Sequence, residues 1–183
     1  GMTPKDSTTT VTDGSYSIMI APGYYLVEFT KTGYVPEEMG GVAVGSDTVL
    51  AAKQLIPGSV QEVAGNVAGT WTKNYVYYVT GNLTIPTGQS LVIDPGVRVK
   101  FAKGTGLTAN GTLQANGTEA QPIIFTSREA TPLPGDWNGV TLNAPNNSIR
   151  YVHLDYATNG FVGSNANGTT IEFTRMVGTL ANN

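Results

Sequence analysis

The chain has 183 residues, a net charge of −3 and no cysteine, and only 13% of its residues are charged. This length allows one large core or two small ones, while the absence of cysteine excludes disulfides, thiolate metal sites and cysteine nucleophiles. Lysine and arginine form no cluster in the sequence, so we expect neither a nucleic-acid interface nor binding to an anionic membrane. No apolar run reaches the ~18 residues of a membrane span, and no signal peptide is present.

Residues 1–57 carry the signals of small antiparallel β-structure. A β-branched run at Thr8–Thr12 is followed by the turn Asp13-Gly14 and by an apolar run. Pro22-Gly23 then precedes Tyr24–Thr30, in which side chains alternate as in a half-buried strand. The segment Thr48–Leu55 fits either a short strand or a short helix.

This N-terminal region resembles the carboxypeptidase regulatory-like domain, a small transthyretin-like β-sandwich. The resemblance rests on Asp13-Gly14, Pro22-Gly23-Tyr24 and Gly33-Tyr34. It implies an accessory domain and favours a strand at Thr48–Leu55. Members usually open with one or two further strands, for which this chain has only Thr3–Ser7. We therefore expect an incomplete β-sandwich over residues 1–57.

Short apolar triplets recur from residue 81 to residue 127, mostly six to eight residues apart, with glycine-containing turns between them. The triplets lie at 83–85, 91–93, 99–101, 107–109, 113–115 and 123–125. Three such strands make a period of roughly 20–24 residues, which is typical of a β-solenoid. The Asn-Gly pairs at 110–111 and 116–117 predict left-handed backbone turns.

We interpret residues 58–70 as a junction and residues 71–183 as the second unit. The second unit resembles the right-handed parallel β-helix broadly called pectate-lyase-like, on the stretches 75–80, 81–86, 94–97, 110–113, 122–127 and 135–139. The resemblance implies a short β-helix of about three to four coils. The predicted fold class is all-β, an incomplete antiparallel β-sandwich followed by a short right-handed parallel β-helix.

The two ends of such a solenoid need covering. The N-terminal sandwich is a candidate cap for the first coil. After Phe173 no cap is evident, so the last coil is expected to be truncated, covered by Arg175–Asn183, or paired with a neighbouring chain.

Glycan-cleaving enzymes of this fold place acidic residues with Lys or Arg on one outer face, with or without calcium. Aligning residues 152–154 with 171–173 as successive coils brings His153, Asp155 and Glu172 onto one face. These three are the candidates for an acid/base or metal site. We favour the alternative that they form a solvated polar ladder in which His153 pairs with Glu172.

Four aromatic residues are candidates for stacking on a sugar ring: Trp137, Tyr75, Tyr77 and Tyr78. The alternative, which we favour for all four, is that they cover the apolar core of the solenoid.

Three functions fit these features. The leading one is a non-catalytic, exported or cell-surface bacterial module for adhesion, glycan contact or spacing, with a polysaccharide or surface glycan as partner. The second is a carbohydrate-active lyase or glycoside hydrolase on an acidic polysaccharide, the only case in which we expect a cofactor, calcium. The third is an assembly module that pairs as a homo-oligomer through open sheet edges.

Overall fold

The computed structural model describes residues 6–45, 47–52, 55, 58–129, 131–164 and 167–179. Within these residues the regular elements are all β-strands, as the sequence predicted. In chain order they are β1 Gly23–Phe29, β2 Glu37–Val44, β3 Ser59–Asn66, β4 Gly69–Trp71, β5 Tyr75–Ile85, β6 Ser90–Ile93, β7 Arg98–Phe101, β8 Leu107–Ala109, β9 Thr112–Asn116, β10 Ile123–Ser127, β11 Val140–Leu142, β12 Ser148–Arg150, β13 Val152–Asp155, β14 Phe161–Gly163, β15 Thr170–Glu172 and β16 Arg175–Val177.

Strands β3 to β16 form a parallel β-helix with three faces. Face 1 contains β7, β10, β13 and β16, and face 2 contains β8, β11 and β14. The long strands β3 and β5 pass through both of these faces, since β5 pairs with β7 along its first half and with β8 along its second. Face 3 contains β4, β6, β9, β12 and β15, again in parallel pairing.

The step between stacked strands varies, and on face 1 Val99 pairs with Phe125 and Phe125 with Leu154. In five strand pairs the step is 22 positions along the sequence, inside the predicted period. On face 3 this step pairs Ile93 with Ala115. Residues 128–139 lengthen the next step, so that Ala115 pairs with Ile149. The step then returns to its earlier length, because Ile149 pairs with Ile171.

Four coils run from Tyr75 to Glu172, in agreement with the three to four predicted after residue 71. A further coil precedes them, because β3 and β4 lie in the segment interpreted as a junction. Strand β3 contains Gln61, Glu62 and Gly65 in place of an apolar triplet, which is why the sequence pattern does not reveal it. It forms because β5 offers a backbone ladder along nearly its whole length, with one register shift between Val63 and Gly65, and a ladder partner outweighs weak local propensity.

The core consists of inward side chains stacked from coil to coil. Phe101 lies at its centre, with Trp137 stacked on it at 4.0 Å between ring centroids and Phe125 edge-on at 6.0 Å. All three rings are fully buried. Each fully buried aliphatic or aromatic side chain contributes about 1.5–3 kcal/mol relative to an exposed one.

The N-terminal region forms a smaller β-structure than the sequence predicted. Strands β1 and β2 make an antiparallel pair, with a bulge between Tyr25 and Val27. The runs at 8–12 and 15–20 carry no strand, although a turn joins them through the bond from Gly14 N to Val11 O at 2.9 Å. The described part of 48–55 is neither strand nor helix, and its remaining residues lie outside the description.

This hairpin contacts the start of the solenoid. Val35, between β1 and β2, is buried, and Gly58 N donates a hydrogen bond to Gly33 O at 3.0 Å. Glu37 on β2 forms an ion pair with Arg98 on β7. The hairpin therefore lies against coils of face 1 near the beginning of the β-helix.

Two of the Asn-Gly turns have a different cause from the one predicted. Gly111 and Gly117 do not adopt the left-handed backbone conformation. Instead, a Cβ at Gly111 would lie 2.2 Å from Gln89 O, and one at Gly117 would lie 2.7 Å from Tyr151 O. Glycine is needed at these corners because successive coils approach closely there.

Asn147 stabilises the corner between faces 2 and 3 through hydrogen bonds of its side chain. Its side chain is buried, with Oδ1 accepting from Leu113 N at 2.8 Å and Nδ2 donating to Ala144 O at 2.6 Å. Nδ2 also lies 3.2 Å from Thr169 Oγ1. One side chain thus joins three successive coils.

We expect Asn147→Ala to lower the free energy of unfolding by about 1–3 kcal/mol, because it leaves buried backbone groups without partners. The matched control is Asn143→Ala, whose exposed amide bonds only the side chains of Asn110 and Ser164. Chemical denaturation of both variants measures the difference. An equal effect at the two positions would contradict this role of Asn147.

Candidate functional site

Face 1 has the densest outward array of charged and aromatic side chains in the described solenoid. Along its strands the side chains alternate between the core and the outside. The residues directed away from the core, from the first coil to the last, are Glu62, Val76, Tyr78, Arg98, Lys100, Ile124, Thr126, His153, Asp155, Arg175 and Val177. Val76 is nevertheless buried, and it lines the small cavity beside the hairpin.

His153, Asp155 and Arg175 meet at the C-terminal end of face 1. Strand β13 carries the first two, and Arg175 on β16 pairs with His153 in the backbone register. Arg175 Nη2 lies 3.4 Å from His153 Nδ1 and 3.6 Å from Asp155 Oδ2. This three-residue group is the charged cluster, and it combines an acid, a titratable imidazole and a fixed cation.

Asp155 is the most constrained member of the charged cluster. Its side chain is only 16% exposed, and Oδ1 is buried without a hydrogen-bond partner among the described residues. Burial raises the pKa of this carboxyl above its ordinary value of 3.8, while the charges of Arg175 and His153 act in the opposite direction. Burial is the largest effect because it removes water from the charged form.

Glu172 does not join the charged cluster. It lies on β15 of face 3, where its Oε2 is 3.1 Å from Nε of Arg150. The predicted alignment of 152–154 with 171–173 is therefore wrong, and so is the pairing of His153 with Glu172. The observed stacking step places Arg175 beside His153 and Arg150 beside Glu172.

Phe173 explains the error in the alignment. The predicted alignment puts it in the inward column of Leu154, but its backbone is left-handed, with φ of 51°, and its side chain is 65% exposed. Its ring stacks on Tyr151 at 4.8 Å, at the corner between faces. Sequence reasoning missed Arg175 as a neighbour of His153. Counting 22 positions forward from His153, the step that also pairs Ile93 with Ala115, would have identified it.

A second group of charges lies at the N-terminal end of face 1. The guanidinium of Arg128 lies 4.6 Å from the ring centre of Tyr78 and 3.7 Å from Glu62 Oε1. The ammonium of Lys100 is 5.9 Å from the same ring. Tyr78 is thus the one candidate aromatic that combines partial exposure with neighbouring cations on this face.

The other aromatic candidates have different environments. Trp137 is fully buried against Phe101, and its Nε1 donates to Asp155 O at 2.8 Å, so its ring is not available to a sugar. Tyr77 is buried and stacks on Trp71 at 4.2 Å. Both therefore cover the core. Tyr75 is 40% exposed and remains accessible.

Asp136 holds the loop that carries Trp137. Its Oδ2 accepts from Ser127 Oγ at 2.7 Å and from Leu133 N at 2.9 Å, and the residue is buried. These bonds explain why an acid occupies this position, because its carboxylate anchors the loop that precedes Trp137.

The surface offers little enclosed space. A cavity between the hairpin and face 1, lined in part by Val35, Glu37 and Arg98, has a volume of about 20 Å³, too small for a sugar. A larger but open depression of about 380 Å³ is lined in part by Asp94 and Gln121. Within the described residues, no group of three or more His, Asp or Glu side chains is arranged to hold a metal ion. The charged cluster lies on an open sheet.

Residues 62–177 match the family described as the pectate-lyase-like beta helix domain. This match covers more than half of the chain, and the chain belongs to that family. It is also 27% identical over 106 residues to "Protein bark beetle" of Drosophila melanogaster, an alignment that covers 55% of this chain and 3% of that protein. No solved structure matches the chain. The described residues include no helix long and apolar enough to cross a membrane.

We expect Asp155→Asn to raise the free energy of unfolding at neutral pH by on the order of 1 kcal/mol, because it removes a charge from a buried site with an unpaired oxygen. The folded state holds the Asp155 proton more tightly than the unfolded chain does. Its contribution to stability therefore decreases as the pH rises from the unfolded pKa to the folded pKa. The gain from Asn should accordingly be largest at neutral pH and vanish below the ordinary pKa of 3.8.

Denaturation curves of both proteins across this pH range measure the effect. Glu172→Gln is the control, because it removes a carboxylate whose side chain is 47% exposed, and exposed ion pairs contribute only about 0–1 kcal/mol. A loss of stability in Asp155→Asn at neutral pH would show that the ion pair outweighs the cost of burial.

Proposed function

We propose that this chain is a non-catalytic, exported or cell-surface β-helix module whose face 1 contacts a glycan. The observation that most directly supports this proposal is the arrangement of charges on face 1. Asp155 is beside Arg175 at one end of this face, and Glu62 is beside Arg128 at the other end, so charged side chains of both signs lie along it. Such a surface fits contact with an extended polymer along several coils.

Three features of face 1 support glycan contact. Arg128 and Lys100 both lie over the ring of Tyr78, so this part of the face brings two cations together beside an aromatic side chain. Guanidinium groups bind hydroxyl and carboxylate oxygens through several donors at once. The strands hold these side chains on rigid backbone, which lowers the entropic cost of binding.

The arrangement does not favour bond cleavage. Glycosidases need two carboxyl groups on either side of the scissile bond, and calcium-dependent lyases need several oxygen ligands around one cation. On face 1 the charged cluster contains one carboxylate, and Glu172 lies on another face. Neither of the two described depressions is lined by residues of the charged cluster, so nothing there encloses a substrate away from water.

A carbohydrate-active enzyme is the second candidate, favoured by one observation. Asp155 has a raised pKa beside His153 and Arg175, and a perturbed acid next to a cation is a common feature of active sites. Under this alternative Asp155 or His153 would exchange the proton and Arg175 would stabilise negative charge on the substrate.

The test incubates the protein with a panel of neutral and acidic polysaccharides, with and without calcium, and measures both retention and polymer length. We expect retention on at least one polymer and unchanged length for all of them. The variant Asp155→Asn with Arg175→Gln should weaken retention about fivefold, the effect of about 1 kcal/mol.

The matched control is Arg150→Gln with Glu172→Gln, which removes one ion pair of the same type from face 3 and should retain the polymer like the unchanged protein. Equal loss in both variants would contradict binding by face 1. Shortening of a polymer that Asp155→Asn abolishes would replace the proposal by the enzyme alternative.

A further inference from the structure

The corner between faces 3 and 1 contains the open depression of about 380 Å³, in the first coils of the β-helix. Binding sites for small molecules have volumes of roughly 300–1,000 Å³, so the space suits one small ligand. This corner depression is lined by Thr72, Lys73, Asn74, Asp94, Pro95 and Gln121. All of these residues except the proline have polar side chains.

Three successive coils build the corner depression, through the turns at 72–74, 94–97 and 117–122. Asp94 N donates to Trp71 O at 3.0 Å, which places the second turn directly against the first. Gly96 N donates to Gln121 O at 3.0 Å, which joins the third turn to the second. Neighbouring coils are about 4.8 Å apart, so the lining side chains lie within reach of a single small molecule.

The polar side chains of the corner depression are not used to hold the fold together. Within the part of the chain that the structure describes, none of them makes a side-chain hydrogen bond or an ion pair. The corner between faces 2 and 3 is different, because the amides of Asn143 and Asn147 there bond neighbouring coils. The polar groups of the corner depression are therefore available to a ligand.

Lys73 and Asp94 give the corner depression two opposite charges. The ammonium of Lys73 and the carboxylate of Asp94 do not form an ion pair with each other or with another described residue. Each can therefore pair with a ligand group of the opposite sign. Asn74 and Gln121 add amides, which carry both hydrogen-bond donors and acceptors.

These two charges select the class of ligand. A molecule with only a carboxylate is attracted by Lys73 but repelled by Asp94, and a molecule with only an ammonium meets the reverse. A neutral sugar leaves both charges without a counter-charge. A zwitterion, with one ammonium and one carboxylate, makes a charge-assisted hydrogen bond to each of them.

We propose that the corner depression binds a small zwitterion of the amino-acid class, with its ammonium on Asp94 and its carboxylate on Lys73. The amides of Asn74 and Gln121 bind its remaining polar groups. Because the depression is open to water, these ion pairs are screened, and we expect an affinity in the millimolar range. The site is separate from the glycan contact of face 1, and neither depends on the other.

Titration of the isotope-labelled full chain at low ionic strength, followed by NMR of its backbone amides, tests this proposal. The probes are glycine, γ-aminobutyrate and ε-aminocaproate, which carry both charges at increasing separation, and butyrate and butylamine, which carry one charge each. We expect at least one zwitterion to shift the amide signals of Lys73, Asp94 and Gln121 at millimolar concentration. The singly charged probes should bind about fivefold more weakly, because each lacks one ion pair.

Asp94→Asn and, separately, Lys73→Gln should each weaken binding of that zwitterion about fivefold, since each removes one ion pair. The matched controls are Glu129→Gln and Lys103→Gln, which remove exposed charges outside the corner depression and should leave binding unchanged. Circular dichroism and thermal melts confirm that each variant is folded before its titration is interpreted.

The absence of a shift with all three zwitterions would overturn the proposal. So would equal affinity for butyrate or butylamine, binding that survives both substitutions in the corner depression, or an equal loss in the two control variants.

Discussion

The stacking of each coil on the next, in parallel register, determines nearly everything else in this protein. It aligns inward side chains into continuous columns, and it satisfies the backbone of each coil with that of the next. It also selects the neighbours on the outer faces, because residues that pair across coils are one step apart in the sequence. Arg175 lies beside His153 for this reason alone.

The same constraint explains where polar residues are tolerated inside. Asn147 and Asp136 are both buried, and both are satisfied by backbone groups at corners where the coil changes direction. Asp155 differs, because one of its oxygens is buried without a partner among the described residues. A group that costs stability in this way often has a role beyond folding, and its position on face 1 agrees with the proposed contact surface.

The period of the solenoid could be predicted because its corners need Gly, Pro and Asn at regular intervals, and these residues are visible in the sequence. Two other features of the fold could not be predicted from the sequence. The first coil has polar residues in β3 and depends on the ladder of β5, a long-range partner that local patterns do not reveal. The last coil was misaligned because Phe173 is apolar but points outward from a left-handed corner. In the N-terminal region, the β-branched run at 8–12 and the apolar run at 15–20 suggested strands that have no partner strand among the described residues.

The most direct measurement of this account is a cysteine cross-link between adjacent coils, in a chain that has no cysteine of its own. Neighbouring parallel strands lie about 4.8 Å apart, within the Cα separation of a disulfide. His153→Cys with Arg175→Cys should form an intramolecular disulfide rapidly on mild oxidation, while His153→Cys with Glu172→Cys should not. Rapid closure of the second pair in place of the first would contradict the observed register and the charged cluster that depends on it.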